Sequence, residues 1–343
     1  MAPPKQAGFT STEKTNKKGK IMLWFQHPGA YKIKSKKMNK IYAIALLFLM
    51  TFLDVQAQQD PHYTQYMYNM NVINPAYAGS KENLSFGLLY RKQWVNIEGA
   101  PTTFSFSGSS PVGKNVGIGL SMISDEIGPV KEQNVYGDFS YTLNLGGEHR
   151  LALGLKAGAT FQKIGLESDI KGSLPDLTDD AFQEDTSNIY FNIGTGIFYY
   201  TNKYYVAFSI PNMIKSVHLD FNGKKYGSET QHYFLTGGYV FDLSPTLKFK
   251  PFAMLKSAFN SPSTLDLNTN FLFNEKFEIG ASYRVDDSFG GMVNYAINPT
   301  LRIGYAYDHI ISDLNMTTQS SHEIIILFDL NFPKKVSRSP RFF

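Results

Sequence analysis

The feature that most constrains this chain is a two-residue alternation of apolar and polar side chains over long segments. In residues 151–161 the odd positions are Leu, Leu, Leu, Ala, Ala and Phe, and the even positions are Ala, Gly, Lys, Gly and Thr. Residues 115–122, 265–271, 277–284 and 301–308 repeat the pattern. Alternation of this kind predicts β-strands with one apolar and one polar face. Many of the segments run about 10–14 residues, longer than the ~5–6 of soluble strands and sufficient to cross a bilayer at a tilt.

Fourteen such segments are predicted, an even number as in bacterial single-chain barrels. They are 83–92, 101–110, 115–124, 132–145, 148–162, 187–200, 203–211, 230–243, 245–258, 263–273, 275–285, 287–297, 299–309 and 321–331.

The lengths of the predicted connections alternate as well. Tight connections follow the even segments, at 111–114, 146–147, 201–202 and around Ser244, Asn274 and Pro299. Longer ones follow most odd segments, at 93–100, 125–131, 163–186, 212–229 and 310–320, with short exceptions at 259–262 and Asp286. Short turns at one end and long loops at the other are typical of outer-membrane barrels. The sequence therefore predicts an all-β transmembrane barrel of about fourteen antiparallel strands, with a periplasmic N-terminus and long loops on the cell surface.

Aromatic residues make up 15% of the chain, including 21 Tyr, and suit the interfacial girdles of such a barrel. Tyr199, Tyr200, Tyr204 and Tyr205 flank one tight turn, and we predict that they belong to the girdle on the periplasmic side.

The N-terminal region predicts export. Residues 38–57 combine a basic start, a thirteen-residue apolar run (41–53) and a small residue, Ala57, as in a secretory signal peptide. Residues 1–37 hold nine Lys and one acidic residue, and are either a start-site artefact or a long basic leader, the former being favoured. The whole chain has a formal net charge of +4, residues 1–37 contribute +8 and residues 38–57 contribute zero, so the part from Gln58 carries −4. An acidic exported chain is not expected to bind nucleic acid.

Residues 58–82 do not alternate and precede the first strand, so we predict a luminal plug; a segment that recognises a partner is the alternative. Its candidate contact residues are His62, Tyr63, Tyr66, Tyr68, Asn69, Asn74 and Pro75. Residues 332–343 are predicted to be a C-terminal tail.

Every second residue of each strand is predicted to face the lumen, and we call these alternate positions the luminal parity of the strand. The charged residues at these positions form a second set of candidates, either paired around a plug or lining a path for a threaded peptide. They are Arg91, Asp138, Lys156, Asp266, Glu278, Arg284, Arg302, Asp308 and Glu323. A third set, Asp176, Asp179 and Asp180, lies in an acidic loop whose spacing does not match a calcium loop, and solvation is the favoured interpretation over a loose cation site.

No catalytic motif is present. The chain has no Cys, and the GxSxG, HExxH and P-loop patterns are absent. We therefore expect neither an enzyme nor a cofactor.

Several strings resemble the PorP/SprF family of outer-membrane proteins. DPHYTQYMYNMNVINPAYAGS (60–80) resembles the start of the family's mature chain, and LLYRKQWVNIEGAPTTFSFSGSSPV (88–112), which contains Trp94, resembles its first hairpin. NVGIGLSMISDEIGP (115–129), GYAYDHIISDL (304–314) and SHEIIILFDL (321–330) are similar to later strands.

The resemblance implies a component of the type IX secretion system that helps to export large surface adhesins and hold them at the cell surface. In gliding bacteria, the SprF type is paired with a motility adhesin whose C-terminal secretion domain it recognises. The expected partners are therefore an adhesin, other secretion components and the lipid bilayer. A passive channel for a small solute and a scaffold of the secretion ring remain the alternatives.

Overall fold

The computed structural model describes residues 63–81, 83–165, 186–214, 217–221, 224–228, 231–258, 261–312 and 320–330. Of residues 217–221, 224–228 and 261–262 only the backbone is described. The strands in this part of the chain are β1 Leu84–Lys92, β2 Thr102–Pro111, β3 Val116–Ile127, β4 Val130–Gly146, β5 His149–Ile164, β6 Thr186–Tyr200, β7 Tyr204–Ile210, β8 Val217–Phe221, β9 Lys224–Ser228, β10 His232–Tyr239, β11 Phe241–Ser244, β12 Leu247–Ala258, β13 Ser261–Phe273, β14 Phe277–Arg284, β15 Ser288–Ala296, β16 Leu301–Ile310 and β17 Ser320–Leu330.

The strands form a closed antiparallel barrel. Strands of the wall pair with their sequence neighbours, and the first and last strands close the circle through a register that runs from Leu84↔Leu330 to Lys92↔His322. Strands β10 and β11 are two parts of one barrel strand, interrupted at Val240, and both pair with β12. Strands β8 and β9 pair with each other, outside the wall, and form a hairpin in the connection between β7 and β10. The prediction of a fourteen-stranded antiparallel barrel is confirmed.

The two faces of the barrel wall differ as the alternation predicts. On β17, Ile324, Ile326 and Phe328 face outward and are 37–45% exposed, whereas Ser321 and Glu323 are buried toward the lumen. The same division holds around the wall, and such an extended apolar exterior is unfavourable in water and favourable in lipid. Among the described residues, no helix has the length and apolar character needed to span a membrane.

An aromatic belt encircles part of the exterior at one end. The rings of Tyr204 and Tyr239 stack with centroids 6.0 Å apart, and Tyr239 contacts Phe241 with a centroid distance of 4.3 Å. Tyr199, 6.0 Å from Tyr204, belongs to the same belt.

All four tyrosines that flank the turn between β6 and β7 were predicted to lie in the girdle. For two of them the prediction was wrong, because Tyr200 and Tyr205 are buried in the lumen. Each of the two follows a girdle residue directly in the strand, and successive side chains of a strand point to opposite faces.

The connections distinguish the two ends of the barrel. At what we call the turn end, adjacent strands are joined by two to four residues, as at 147–148 and 112–115. Strand β1 begins and strand β17 ends at this same end of the barrel. At what we call the loop end, long connections span 165–185, 211–231 and 311–319.

The prediction of a long loop at 125–131 was wrong. Strands β3 and β4 continue to a two-residue turn at Gly128-Pro129, and Asp125 faces Glu132 while Glu126 faces Lys131. These charged residues pair in register because the hairpin continues beyond the apolar part of the wall, where water solvates them. Glu126 and Lys131 form a salt bridge of 3.1 Å and are each more than half exposed.

Candidate functional site

The lumen is filled by the chain's own residues 63–81, which we call the luminal segment. It contains a 3-10 turn at Tyr66–Tyr68, a single α-helical turn at Met70–Ile73 and a second 3-10 turn at Pro75–Tyr77. The third of these begins at Asn74, whose side chain accepts a hydrogen bond of 2.9 Å from Ala76 N. Proline at the first helical position suits a turn start because its missing N–H has no intrahelical partner there. Short turns of this kind make the segment compact enough to fit inside the wall.

A buried cluster binds the start of the luminal segment at the seam where the barrel closes. Arg91 on β1 forms salt bridges with Asp308 on β16 at 2.9 Å and with Glu323 on β17 at 3.2 Å. Glu323 accepts hydrogen bonds from Thr64 N at 2.9 Å and Gln65 N at 2.8 Å. The Thr64 hydroxyl donates to Asp308 and accepts from Arg91 Nη1. These five residues, which we call the seam cluster, connect three strands to the luminal segment.

A bidentate pair lies on the neighbouring wall. Arg284 on β14 donates to Asp266 on β13 through Nε at 2.7 Å and Nη2 at 3.1 Å, and it also contacts Asp287 at 3.2 Å. The planar guanidinium matches a carboxylate in this arrangement, which gives both strength and fixed geometry.

A second charged cluster lies toward the turn end. Lys250 contacts both Glu278 oxygens at 3.2 Å, and Asn270 donates to Glu278 Oε1 at 2.7 Å. The Tyr68 hydroxyl of the luminal segment donates to the same carboxylate, and Arg302 Nη1 lies 3.8 Å from it. Glu278 thus has two cations beside it, Lys250 at 3.2 Å and Arg302 at 3.8 Å, whereas the seam cluster contains one cation, which pairs with both of its carboxylates.

Strands β2, β4 and β5, across the lumen from Glu278, hold the middle of the luminal segment through polar groups. Asp138 and Lys156 form a salt bridge of 3.1 Å, and Asn71 donates to Asp138 at 3.3 Å. Asn69 donates to Ser105 Oγ at 3.0 Å and accepts from Ser107 at 3.2 Å.

Glycines on the inner face let the wall approach the backbone of the luminal segment. A Cβ added to Gly154 would lie 2.1 Å from Ala76 N, one on Gly117 would lie 2.1 Å from Ala78 O, and one on Gly196 would lie 2.0 Å from Asn74 Oδ1. We call Gly117, Gly154 and Gly196 the glycine cradle. A side chain at any of them would require the luminal segment or the wall to move.

The predicted candidates are distributed over two places. Tyr63, Tyr66, Tyr68, Asn69, Asn74, Pro75, Arg91, Arg284, Arg302 and Asp308 all line or fill the lumen. Trp94 lies in the connection between β1 and β2 at the loop end, where its backbone N–H donates to Ser321 Oγ at 3.2 Å and its φ is +46°. His62, Asp176, Asp179 and Asp180 lie outside the described residues.

Lys250 is a luminal charge that the sequence patterns did not single out. Lys250 lies on the luminal parity of β12 together with Lys248 and Lys256, and these alternating lysines could have identified it as a luminal residue. The large apolar residues Phe252 and Met254 share the same parity, so this side of the strand did not look polar in the sequence. They are buried in the lumen in one apolar cluster with Tyr66 of the luminal segment.

Within the part of the chain that the structure describes, no group of three or more His, Asp or Glu side chains is arranged to hold a metal ion. The buried charges described above are instead paired with each other and with the luminal segment. The arrangement is suited to fixing a polypeptide inside a barrel.

Solved structures with a similar fold are outer-membrane barrels. They include Omp33 of Acinetobacter baumannii (13% identity, 73% of this chain and 99% of that chain, TM-score 0.42) and the toluene transporter TodX of P. putida (11%, 77% and 94%, 0.46). A third is the monoaromatic hydrocarbon channel CymD (10%, 82% and 96%, 0.46). Likeness at this level is too remote to bear on what the present chain does.

Sequence comparison gives the family. No curated protein matches the chain. The profile of "Type IX secretion system membrane protein PorP/SprF" matches residues 55–328, well over half of the sequence. The chain therefore belongs to the PorP/SprF family of type IX secretion system membrane proteins.

Proposed function

We propose that this outer-membrane component of the type IX secretion system supports the export and surface attachment of a large cell-surface adhesin, of the gliding-motility type, by binding its C-terminal secretion domain. Family membership supports the secretion role. The binding role is supported by the filled lumen, because a barrel occupied by its own chain offers its rim, and not its interior, to a partner.

The observation that carries the proposal is the way the luminal segment is held. It contacts charged or polar groups on several sides of the wall, at the seam cluster, at Glu278 and at Asp138. Buried charges that lose a partner are strongly destabilising, so a segment tied to them is costly to remove. This favours a closed, rigid anchor over a freely open pore.

We further propose that the loop end faces the cell exterior and the turn end the periplasm, with residues 38–57 removed as a signal peptide. The long connections 165–185, 211–231 and 311–319 then form the adhesin-binding side. Trp94 lies on the same rim, in a connection fixed to β17 by two hydrogen bonds, Trp94 N to Ser321 Oγ and Val95 N to Ser320 O at 3.0 Å.

The first test is to tag the protein, extract the outer membrane in mild detergent and identify what co-purifies. We expect a large surface protein in near-equal amount. Recovery of periplasmic secretion-ring components in its place would assign the protein to the scaffold of the ring.

The second test deletes each of the three long connections in turn and follows release of the adhesin. At least one deletion is expected to release it while the barrel stays folded. The matched control replaces the turn at 112–115 at the opposite end with a turn of equal length. Retention of the adhesin by all three deletions contradicts the proposal.

Planar-bilayer conductance separates the anchor from the passive channel. The intact protein is expected to conduct little, and deletion of residues 58–82 is expected to open a large pore. A large conductance of the intact protein favours the channel.

A further inference from the structure

A small cationic cavity lies at the turn end, between the exit of the luminal segment and two turns of the wall. Its volume is about 60 Å³. It is lined by Ser80 and Lys81 from the luminal segment, by Lys114 and Asn115 from the β2–β3 turn, and by Asn144 and Arg150 from the β4–β5 hairpin.

The charge of the lining has one sign. Lys81, Lys114 and Arg150 all contribute to it, and no carboxylate does among the described residues around it. Asp329 lies 3.5 Å from Lys81 Nζ and is itself partly exposed. At least two of the three cations therefore have no carboxylate partner in the part of the chain that the structure describes.

The guanidinium of Arg150 is held in place. Its Nη1 donates to Asn144 Oδ1 at 2.8 Å and to the carbonyl oxygens of Gly147 and His149, each at 3.0 Å. All three bonds involve Nη1, so the bonds that orient the group use only one of its three nitrogen atoms.

The hydroxyl of Ser80 is an independent sign of a polar occupant. Ser80 is 4% exposed, and its Oγ has no hydrogen-bond partner among the described residues. Buried hydroxyls in folded proteins are nearly always satisfied, so an unsatisfied one that lines a polar cavity indicates a missing partner.

The size of the cavity sets the class of ligand. A cavity needs at least roughly 10–15 Å³ to hold one water molecule, so this cavity, at about 60 Å³, is several times larger than a single water requires. That is room for one carboxylate or phosphate group with its oxygen atoms directed at the cations. Lipid headgroups are poorly placed to enter, because Arg150 and Thr142 of the lining lie on the luminal parity of their strands.

We propose that this cavity is a binding site for an oxyanion, a carboxylate or phosphate group, that enters the barrel from its turn end. Two sources share this chemistry, a free anion and an acidic residue on a polypeptide. The site is separate from the rim at which the adhesin is proposed to bind.

The test is titration calorimetry on the full mature chain in detergent. The probes are inorganic phosphate, acetate, and a short peptide with an amidated C-terminus that ends in Asp-Glu, compared with the same amidated peptide ending in Asn-Gln. Glu82 follows Lys81 in the sequence, so a parallel series in the Glu82→Gln background removes a neighbouring carboxylate that could compete. Saturable binding of phosphate or acetate alone identifies a free anion as the source, and tighter binding of the acidic than of the amide peptide identifies a polypeptide.

Lys114→Gln and Arg150→Gln are each expected to weaken binding about tenfold, since each removes a charge-assisted hydrogen bond. Lys114 lies in an exposed turn, so its variant folds even if the Arg150 variant does not. The matched control is Lys203→Gln at the same end of the barrel, outside the lining. A hydrogen bond to Asp242 raises the pKa of the Lys203 ammonium, which is therefore a cation like the others. The proposal is overturned if no probe binds, or if Lys114→Gln and Lys203→Gln bind as tightly as the unmodified chain.

Discussion

The luminal segment is held in two different ways at its two ends. Its beginning, at Thr64 and Gln65, is bound by the seam cluster through buried charges and hydrogen bonds. Its later part, residues 74–78, lies against the glycine cradle, where shape and not charge decides the fit. The seam cluster should therefore respond to the loss of a charged partner. The glycine cradle should respond to added side-chain volume.

The largest effect is expected from a side chain in the glycine cradle. Gly154→Val places a branched side chain whose Cβ would lie only 2.1 Å from Ala76 N. We expect the luminal segment and not the wall to move, because β5 is paired along both of its edges, with β4 and with β6. We expect the Gly154→Val protein, which still contains residues 58–82, to conduct in a planar bilayer nearly as well as a variant that lacks those residues.

The control for this variant is Gly137→Val on the neighbouring strand. A Cβ added to Gly137 faces outward, and the atom that it would approach most closely is Ala157 O, at 3.9 Å. This variant should stay closed. A closed Gly154→Val barrel with normal heat-modifiable migration on a gel would show that the cradle does not determine the fit.

The next effect is loss of the one cation in the seam cluster. Arg91→Met leaves Asp308 and Glu323 buried without this counter-ion, which is expected to lower the free energy of unfolding by about 3–5 kcal/mol. Denaturant unfolding of the barrel in phospholipid bilayers measures it.

The comparison variant is Lys131→Met, which breaks the exposed pair with Glu126 and should cost about 1 kcal/mol or less. Equal losses for the two variants would mean that burial of the seam cluster contributes nothing to its strength.

The smallest of the three effects on the luminal segment is expected at Asn74, which caps the 3-10 turn Pro75–Tyr77. Asn74 accepts a hydrogen bond from Ala76 N and donates one to Ile197 O at 3.1 Å, so Asn74→Ala should cost about 1–2 kcal/mol. Denaturant unfolding in bilayers measures this loss as well.

A double-mutant cycle sharpens this prediction. Gly196→Ala alone brings a methyl group to within 2.0 Å of Asn74 Oδ1, and Asn74→Ala removes that atom. The double variant should therefore lose less stability than the two single losses added together. Simple additivity would show that Asn74 and Gly196 do not interact.

The wall of the barrel was predictable because its signal is local. Alternation and segment length follow from the pleat of each strand and the thickness of the bilayer, so the strand β5 predicted at 148–162 is found at His149–Ile164. The sequence also set residues 58–82 apart from the wall, since they lack alternation and precede β1. The error at 125–131 arose because charged residues look like a loop in sequence, although a hairpin can carry them beyond the membrane in register.

The contacts inside the lumen were not predictable to the same degree. Parity identified Glu323 as luminal, but its bonds to two backbone N–H groups of the luminal segment depend on where that segment passes. Lys250 was hidden because its luminal neighbours on β12 are large and apolar, and they are so because they pack against the luminal segment.

Consecutive residues alone were enough to establish a membrane barrel of fourteen strands with a non-alternating segment before it, since periodicity and connection length are read along the chain. The folded chain was needed to show how that segment is held and that a cationic cavity remains at the turn end. Residues as far apart as Thr64 and Glu323, or Lys81 and Arg150, are brought together by closure of the barrel and by the register of its strands, which no stretch of consecutive residues records.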